Sequence, residues 1–215
     1  MEKHGDNGHG MDHIDSVFGH GMKALSCEPD VMCRAEPILL ACLLHEVDDR
    51  KLFKTKDYAN ARSILKIVNV PDYEQVIELI DLVSASKNQN KAVEEKWKLI
   101  PRDCDRIEAM GLIGVKRCYQ YTTKVGGLLY TDKTPRAATL EAVYKIATPE
   151  RFAQYKGDSE SMIDHYYDKL LHIGHIASGN KYLLLESKER MKAIEAVVLA
   201  FGQTGEVNET WLKSL

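Results

Sequence analysis

Three stretches of the chain gather imidazole and carboxylate side chains in the way divalent-cation chemistry requires. In GHGMDHID, near the start, His9 and His13 are four residues apart, so on a helix they share one face. In LLHEVDD, His45 is followed by Glu46, Asp48 and Asp49, directly after the apolar run at residues 38–44. In DCDR, Asp103 and Asp105 flank Cys104 and precede Arg106. Nitrogen and oxygen donors of this kind suit Mn, Fe, Co, Ni or Zn better than calcium. Plainer readings stand beside this one. The run ending at His45 can be a helix that emerges into water, and the acids of DCDR can be ordinary partners of a helix N-terminus. Burying an imidazole and three acids beside an apolar helix is costly, however, unless they are paired or hold a cation.

The elements that must carry these residues are helical. Met11, Ile14, Val17, Met22 and Leu25 recur at near-helical spacing and predict a first helix with one apolar face. Pro37 stands where a helix can begin, and residues 38–44 are apolar on every side, the mark of a helix in the middle of a domain. Further helices are expected at about 57–68, 72–86, 103–122, 136–147, 149–171 and 186–202, the last with Met191, Ile194, Val197, Val198 and Phe201 on one face. No stretch alternates strictly enough to predict a sheet. The stretch KVGGLLYTDKTP reads as a mobile loop. The expectation is an all-α chain forming one domain over residues 1–215, its ligand-bearing part at about 9–125 and closing helices at about 136–213.

Composition narrows the partners. A net charge of −3 does not fit a protein that coats long nucleic acids, yet local lysines can still hold a small anionic substrate. The five cysteines are odd in number and form no CxxC pair, which argues against a disulfide framework or a zinc knuckle. Scattered thiols fit a reducing compartment, so an intracellular, cytoplasmic location is expected. The start MEKHGDNGHGMDHID has no apolar core of a secretory signal, and no run is long enough to predict a membrane span.

Read in order, five segments resemble the HD-domain metal-dependent phosphohydrolases, in particular their small-nucleotide branch. HGMDHIDSV looks like the first ligand-bearing helix of that superfamily, and LLHEVDDRKLF like its LLHDxxDxKL segment. IELIDLVSASKNQNK resembles the ISFSKNxN stretch, DCDRIEAMGLIGVKR is similar to DADRLDALGAIGxAR, and DHYYDKLLHI resembles HFYEKLLKL. The resemblance implies a single HD-type helical bundle. It places His13, His45 and Asp105 as metal ligands, with Glu46 where the family has the aspartate that names it. Asp49 falls where relatives hold an acid that orients water or moves a proton. Lys51, Lys87 and Lys169 lie in matching segments and could face phosphate oxygens, and His165 and His9 are further candidates for the substrate pocket.

The implied cofactor is one divalent ion (Mn, Fe, Co, Ni, Zn or Mg). Dinuclear relatives need extra histidines in mid-chain, and residues 46–164 contain none. The implied activity is hydrolysis of a phosphate ester or anhydride, foremost a nucleoside or deoxynucleoside triphosphate with release of pyrophosphate. Other phosphate esters form a second enzymatic reading. Glu46 opens a third. Its carboxylate reaches one methylene further than aspartate, and a misplacement of about 1 Å in a preorganised site can cost roughly 10²-fold in rate. The chain would then be a weakened or inactive HD-domain protein that binds nucleotides or regulates, unless Asp48 takes over part of the role. A helical protein with no ligand is the fourth reading. Among the remaining histidines, His172 and His175 read as amphipathic surface; Tyr166 and Tyr167 straddle two helical faces, so that one is expected toward substrate and the other in the core.

Overall fold

The computed structural model describes residues 10–49 and 53–215, and these form helices joined by turns and some longer connections, with no strand among the described residues. The chain packs as two compact units. One comprises the described residues up to Asp105 together with Ile176–Leu184; the other comprises Arg106–His175 and Leu185–Leu215.

In the first unit, α1 (Met11–Ser26) buries His13, Val17, His20, Gly21, Ala24 and Leu25, a stripe at three- and four-residue spacing. It packs on α2 (Ala35–Leu44), and α2 packs in turn on α4 (Glu74–Val83). The approach of α1 to α2 is close because residue 21 is glycine. A Cβ there would stand 3.1 Å from Cys42 Sγ and 3.2 Å from Leu39 Cδ2. α2 is less enclosed than its composition predicts. Ile38, Ala41 and Cys42 are buried, whereas Leu39, Leu40, Leu43 and Leu44 are only half-buried, because two helices cover part of its circumference. α3 (Ala59–Ile67) buries Ala61 and Leu65, and α5 (Ala85–Asn88) is a short turn after α4.

The helix expected over 103–122 is two helices, α6 (Ile100–Glu108) and α7 (Gly111–Lys124). The break falls at Gly111, whose φ of +72° ends the α-helical path and is open to glycine at little cost. α6 divides between the two units at Asp105.

In the second unit, α8 (Leu140–Ile146) and α9 (Pro149–Gln154) begin at Thr139 and Thr148, whose hydroxyls accept from Ala142 N and Arg151 N. The helix expected over 149–171 is likewise interrupted. The chain leaves α9 at Tyr155, turns through Gly157 at φ +115°, and restarts at α10 (Met162–His165) under a Ser161 cap. A π-helical turn over Tyr166–Leu170 then leads into α11 (Leu171–Ile173). A π-turn spaces neighbouring side chains more closely around the axis than an α-turn does. Tyr166 and Tyr167 are accordingly both 0% exposed, rather than divided between core and pocket. His175 is exposed as expected, but His172 is half-buried, stacked on Phe152 at 4.9 Å, and its Nε2 donates to Tyr167 O. Burial lowers its pKa.

α12 (Lys181–Thr204) is longer than expected at both ends, and α13 (Glu209–Ser214) follows, capped by Asn208. The five apolar residues read as one face of α12 are all buried. The KVGGLLYTDKTP stretch is tied down rather than loose. Leu128 O and Leu129 O accept from Met162 N and Ile163 N, and buried Thr134 donates to Asp164 at 2.8 Å. The same unit depends on a tight approach at Gly202, where a Cβ would lie 1.9 Å from Ala137 O. Gly202→Ala should therefore lower stability by about 3 kcal/mol, the upper range for overpacking. Urea unfolding checks this: the midpoint should fall with the slope unchanged.

Candidate metal centre

α1, the C-terminal end of α2 and α6 bring four of the expected side chains to one place. His13 comes from the first turn of α1, His45 is the C-cap of α2, Glu46 follows it, and Asp105 lies within α6. The Nε2 atoms of His13 and His45 are 3.3 Å apart. Asp105 Oδ1 is 3.3 Å from the first and 3.7 Å from the second. Glu46 Oε1 is 3.6 Å and 4.0 Å from the same two nitrogens. His13, His45 and Asp105 each offer one donor atom within 4.8 Å of the others and could hold a metal ion.

The donor set fits such an ion. Ligand atoms at about 2.1 Å from a common cation are roughly 3.0–3.4 Å from each other at octahedral or tetrahedral angles. The observed separations are close to that and need only a small contraction. The tautomer is also suitable. His45 Nδ1 donates to Cys42 O at 2.8 Å, so on the neutral ring Nε2 is left with its lone pair toward the cluster. A backbone carbonyl in this position orients a ligating imidazole and raises its basicity. Glu46 stands beside the cluster, buried, with Oε1 close to both imidazoles, while the three residues whose donor atoms all lie within 4.8 Å of one another are His13, His45 and Asp105.

The neighbouring acids are used differently. Asp48 is turned to structure: its Oδ1 accepts from Asn60 N at 3.1 Å and its Oδ2 from Ala61 N at 2.9 Å, at the first turn of α3. It does not stand in for Glu46. Asp103 is fully buried, and its Oδ2 accepts from Ser178 N at 2.8 Å while Arg102 Nε lies 3.5 Å from Oδ1. Asp49 closes the turn after Glu46, its amide donating to Glu46 O. Burial pushes the Cys104 thiol well up, which suits a packing role rather than a nucleophile.

The expected substrate contacts are less concentrated. Lys87 is exposed and forms an ion pair with Asp81, which also accepts from Tyr58 Oη. His165 and Lys169 belong to the second unit, where both neighbour Tyr155: the His165 ring lies 5.4 Å from the Tyr155 ring and Lys169 Nζ 5.9 Å from its centroid. His9 and Lys51 lie outside the described residues. Three residues near the ligand-bearing helices escaped the sequence reading. His20 Nδ1 is 2.6 Å from Tyr182 Oη, and Asn180 Nδ2 donates to Ala24 O at 2.9 Å. His20 was findable, being two turns beyond His13 on the buried stripe of α1. Asn180 and Tyr182 had only the N-cap pattern ahead of α12 to mark them.

Solved structures share this fold. A protein of Lactobacillus plantarum superposes with a TM-score of 0.67 at 23% identity, covering 93% of this chain and 89% of that one. An HD-superfamily hydrolase of Bacillus thuringiensis superposes at 0.57 and 22% identity, covering 88% and 82%. The Lin1889 protein of Listeria innocua does so at 0.60 and 22%, covering 96% and 89%. The all-α fold is therefore HD-like. No family model matches the sequence. The chain belongs to the family of the uncharacterized protein L803 of Acanthamoeba polyphaga mimivirus, to which it is 41% identical over 221 residues, 94% of this chain and 91% of that protein. No helix among the described residues is long and apolar enough to cross a membrane.

The two uses of acidic residues separate experimentally. Asp48→Ala should cost about 1 kcal/mol of stability, the usual effect of losing a helix cap, and leave Mn²⁺ affinity unchanged. Asp105→Ala should abolish Mn²⁺ binding in a calorimetric titration while the protein stays folded.

Proposed function

We propose that this protein is a metal-dependent phosphohydrolase acting on a small phosphate ester or anhydride, foremost a nucleoside or deoxynucleoside triphosphate with release of pyrophosphate. The observation that carries this reading is the convergence of His13, His45 and Asp105 within 4.8 Å, with Glu46 Oε1 no more than 4.0 Å from either imidazole. The HD-superfamily hydrolase among the structural neighbours supports it at the level of reaction class, and the SKNQN and DCDRIEAMG segments support a nucleotide at the level of resemblance.

His13, His45, Glu46 and Asp105 would hold one divalent ion. When bound, the ion supplies Lewis acidity to a water nucleophile and to the phosphoryl group. The protein's own part is to fix the geometry and handle the proton. The hydrogen bond from His45 Nδ1 to Cys42 O holds the imidazole plane, so the site needs little rearrangement on loading. Asp49, in the turn just after Glu46, is assigned the role of accepting the proton from the attacking water. Lys87, in the same compact unit as the cluster, is assigned to the substrate's anionic oxygens, a role that the resemblance extends to Lys51 and His9. Lys87 must exchange its Asp81 partner to do so.

The placement of Glu46 Oε1 beside both imidazoles favours a working site over one disabled by the extra methylene. The test is release of pyrophosphate and phosphate from a panel of nucleoside and deoxynucleoside triphosphates with Mn²⁺, Mg²⁺, Co²⁺ or no metal. Metal-dependent release is expected in the wild type and should vanish in His45→Ala. Glu46→Asp should change the rate by no more than about tenfold, because both side chains can reach the cluster; a rise near the roughly 10²-fold scale of a 1 Å misplacement would mean the glutamate had weakened the site. No release from folded protein under any condition would overturn the hydrolytic assignment.

A further inference from the structure

The ligand-bearing helices share a fastening that comes from far along the chain. The segment Ile176–Leu184 belongs to the same compact unit as the candidate metal centre, although more than seventy residues separate it from Asp105. It bonds to α1 twice. Asn180 Nδ2 donates to Ala24 O at 2.9 Å, and Tyr182 Oη lies 2.6 Å from His20 Nδ1, with the two rings stacked at 5.8 Å. It bonds to α6 once, where Ser178 N donates to Asp103 Oδ2 at 2.8 Å. α1 carries His13, and Asp103 is two residues from Asp105. The segment therefore holds by hydrogen bonds the two helices that supply these ligands.

The bonds are of a kind that restrains position. Asn180 and Asp103 are both 0% exposed, and His20 is 5% exposed. Water cannot replace a partner readily at such sites, so displacing either helix would strand a buried polar group. Asn180 is also committed on its other atom: Oδ1 accepts from Leu183 N at 3.1 Å and caps the start of α12. One side chain thus fixes the segment to its own helix and to α1. The fastening reaches His13 along α1, whose first turn holds His13 and has no side-chain cap of its own.

We infer that Asn180 and Tyr182 are positioning residues for the metal centre, setting the placement of His13 against Asp105 through α1 and α6. This rests on the metal-dependent reading proposed above. Positioning partners outside the ligand set typically change metal affinity by 10- to 100-fold, and the lower end is expected here because the effect passes through a helix.

The test uses the full chain and Co²⁺ alone. Two variants each break one bond to α1 without emptying the core. Tyr182→Phe removes the hydroxyl and keeps the ring, and Asn180→Asp keeps the cap on α12 while losing the donor to Ala24 O. Co²⁺ affinity and the visible absorption band are read by titration, and thermal midpoints are measured on the metal-free proteins, with His13→Ala as the control that loses the band. Each variant is expected to bind Co²⁺ about tenfold more weakly with a shifted band, out of proportion to any change in thermal midpoint. Wild-type affinity and an unchanged band in both variants would overturn the positioning role, whatever happens to the midpoint. A wild-type protein that binds no Co²⁺ would overturn the metal reading itself, and the positioning role with it.

Discussion

Two imidazole nitrogens 3.3 Å apart, with carboxylate oxygens at 3.3–4.0 Å from them, are a concentration of polar atoms that only a well-braced scaffold can hold. Each of these groups would be better solvated if the helices drifted apart, and burial of charge without compensation is expensive. The architecture of this unit answers that cost. Gly21 lets α1 close onto α2, the Cys42 carbonyl fixes the His45 ring, and the 176–184 segment bonds to both α1 and α6. Apolar packing supplies the energy, and a few buried hydrogen bonds supply the geometry.

The acids show how one residue type serves both ends. Glu46 and Asp105 turn toward the imidazoles, while Asp48 and Asp103, each two residues away, turn toward backbone amides. The alternation follows from local structure. Asp103 and Asp105 are two apart on α6, which separates them by roughly half a helical turn at 100° per residue. Glu46 and Asp48 occupy a turn, where successive side chains diverge. An acid bonded to backbone amides, beside one that faces the imidazoles, thus ties that segment to its surroundings.

Glu46 lies beside the same cluster. Its Oε1 is 3.6 Å and 4.0 Å from the two imidazole nitrogens, and the residue is buried. The half-buried leucines of α2 show the opposite case: apolar composition called for complete enclosure, but the neighbouring helices cover only part of the surface.

Much was legible from the sequence alone. Helical periodicity located most of the helices, the motifs gathered the imidazoles and acids, and the resemblance that HGMDHIDSV, LLHEVDDRKLF and DCDRIEAMG carry pointed to the four residues found together. These are local properties, written in residue type and spacing. Tertiary structure decided the rest. It turned Asp48 to α3 and Asp103 to Ser178, split the expected long helices at Gly111 and Gly157, pinned a stretch that read as a mobile loop, and buried both Tyr166 and Tyr167 through a π-turn. It also joined Asn180 and Tyr182 to a helix more than 150 residues earlier. Spacing along a chain specifies which face of a helix a side chain occupies. Which partner that face meets depends on contacts between distant segments, and those exist only once the helices have packed.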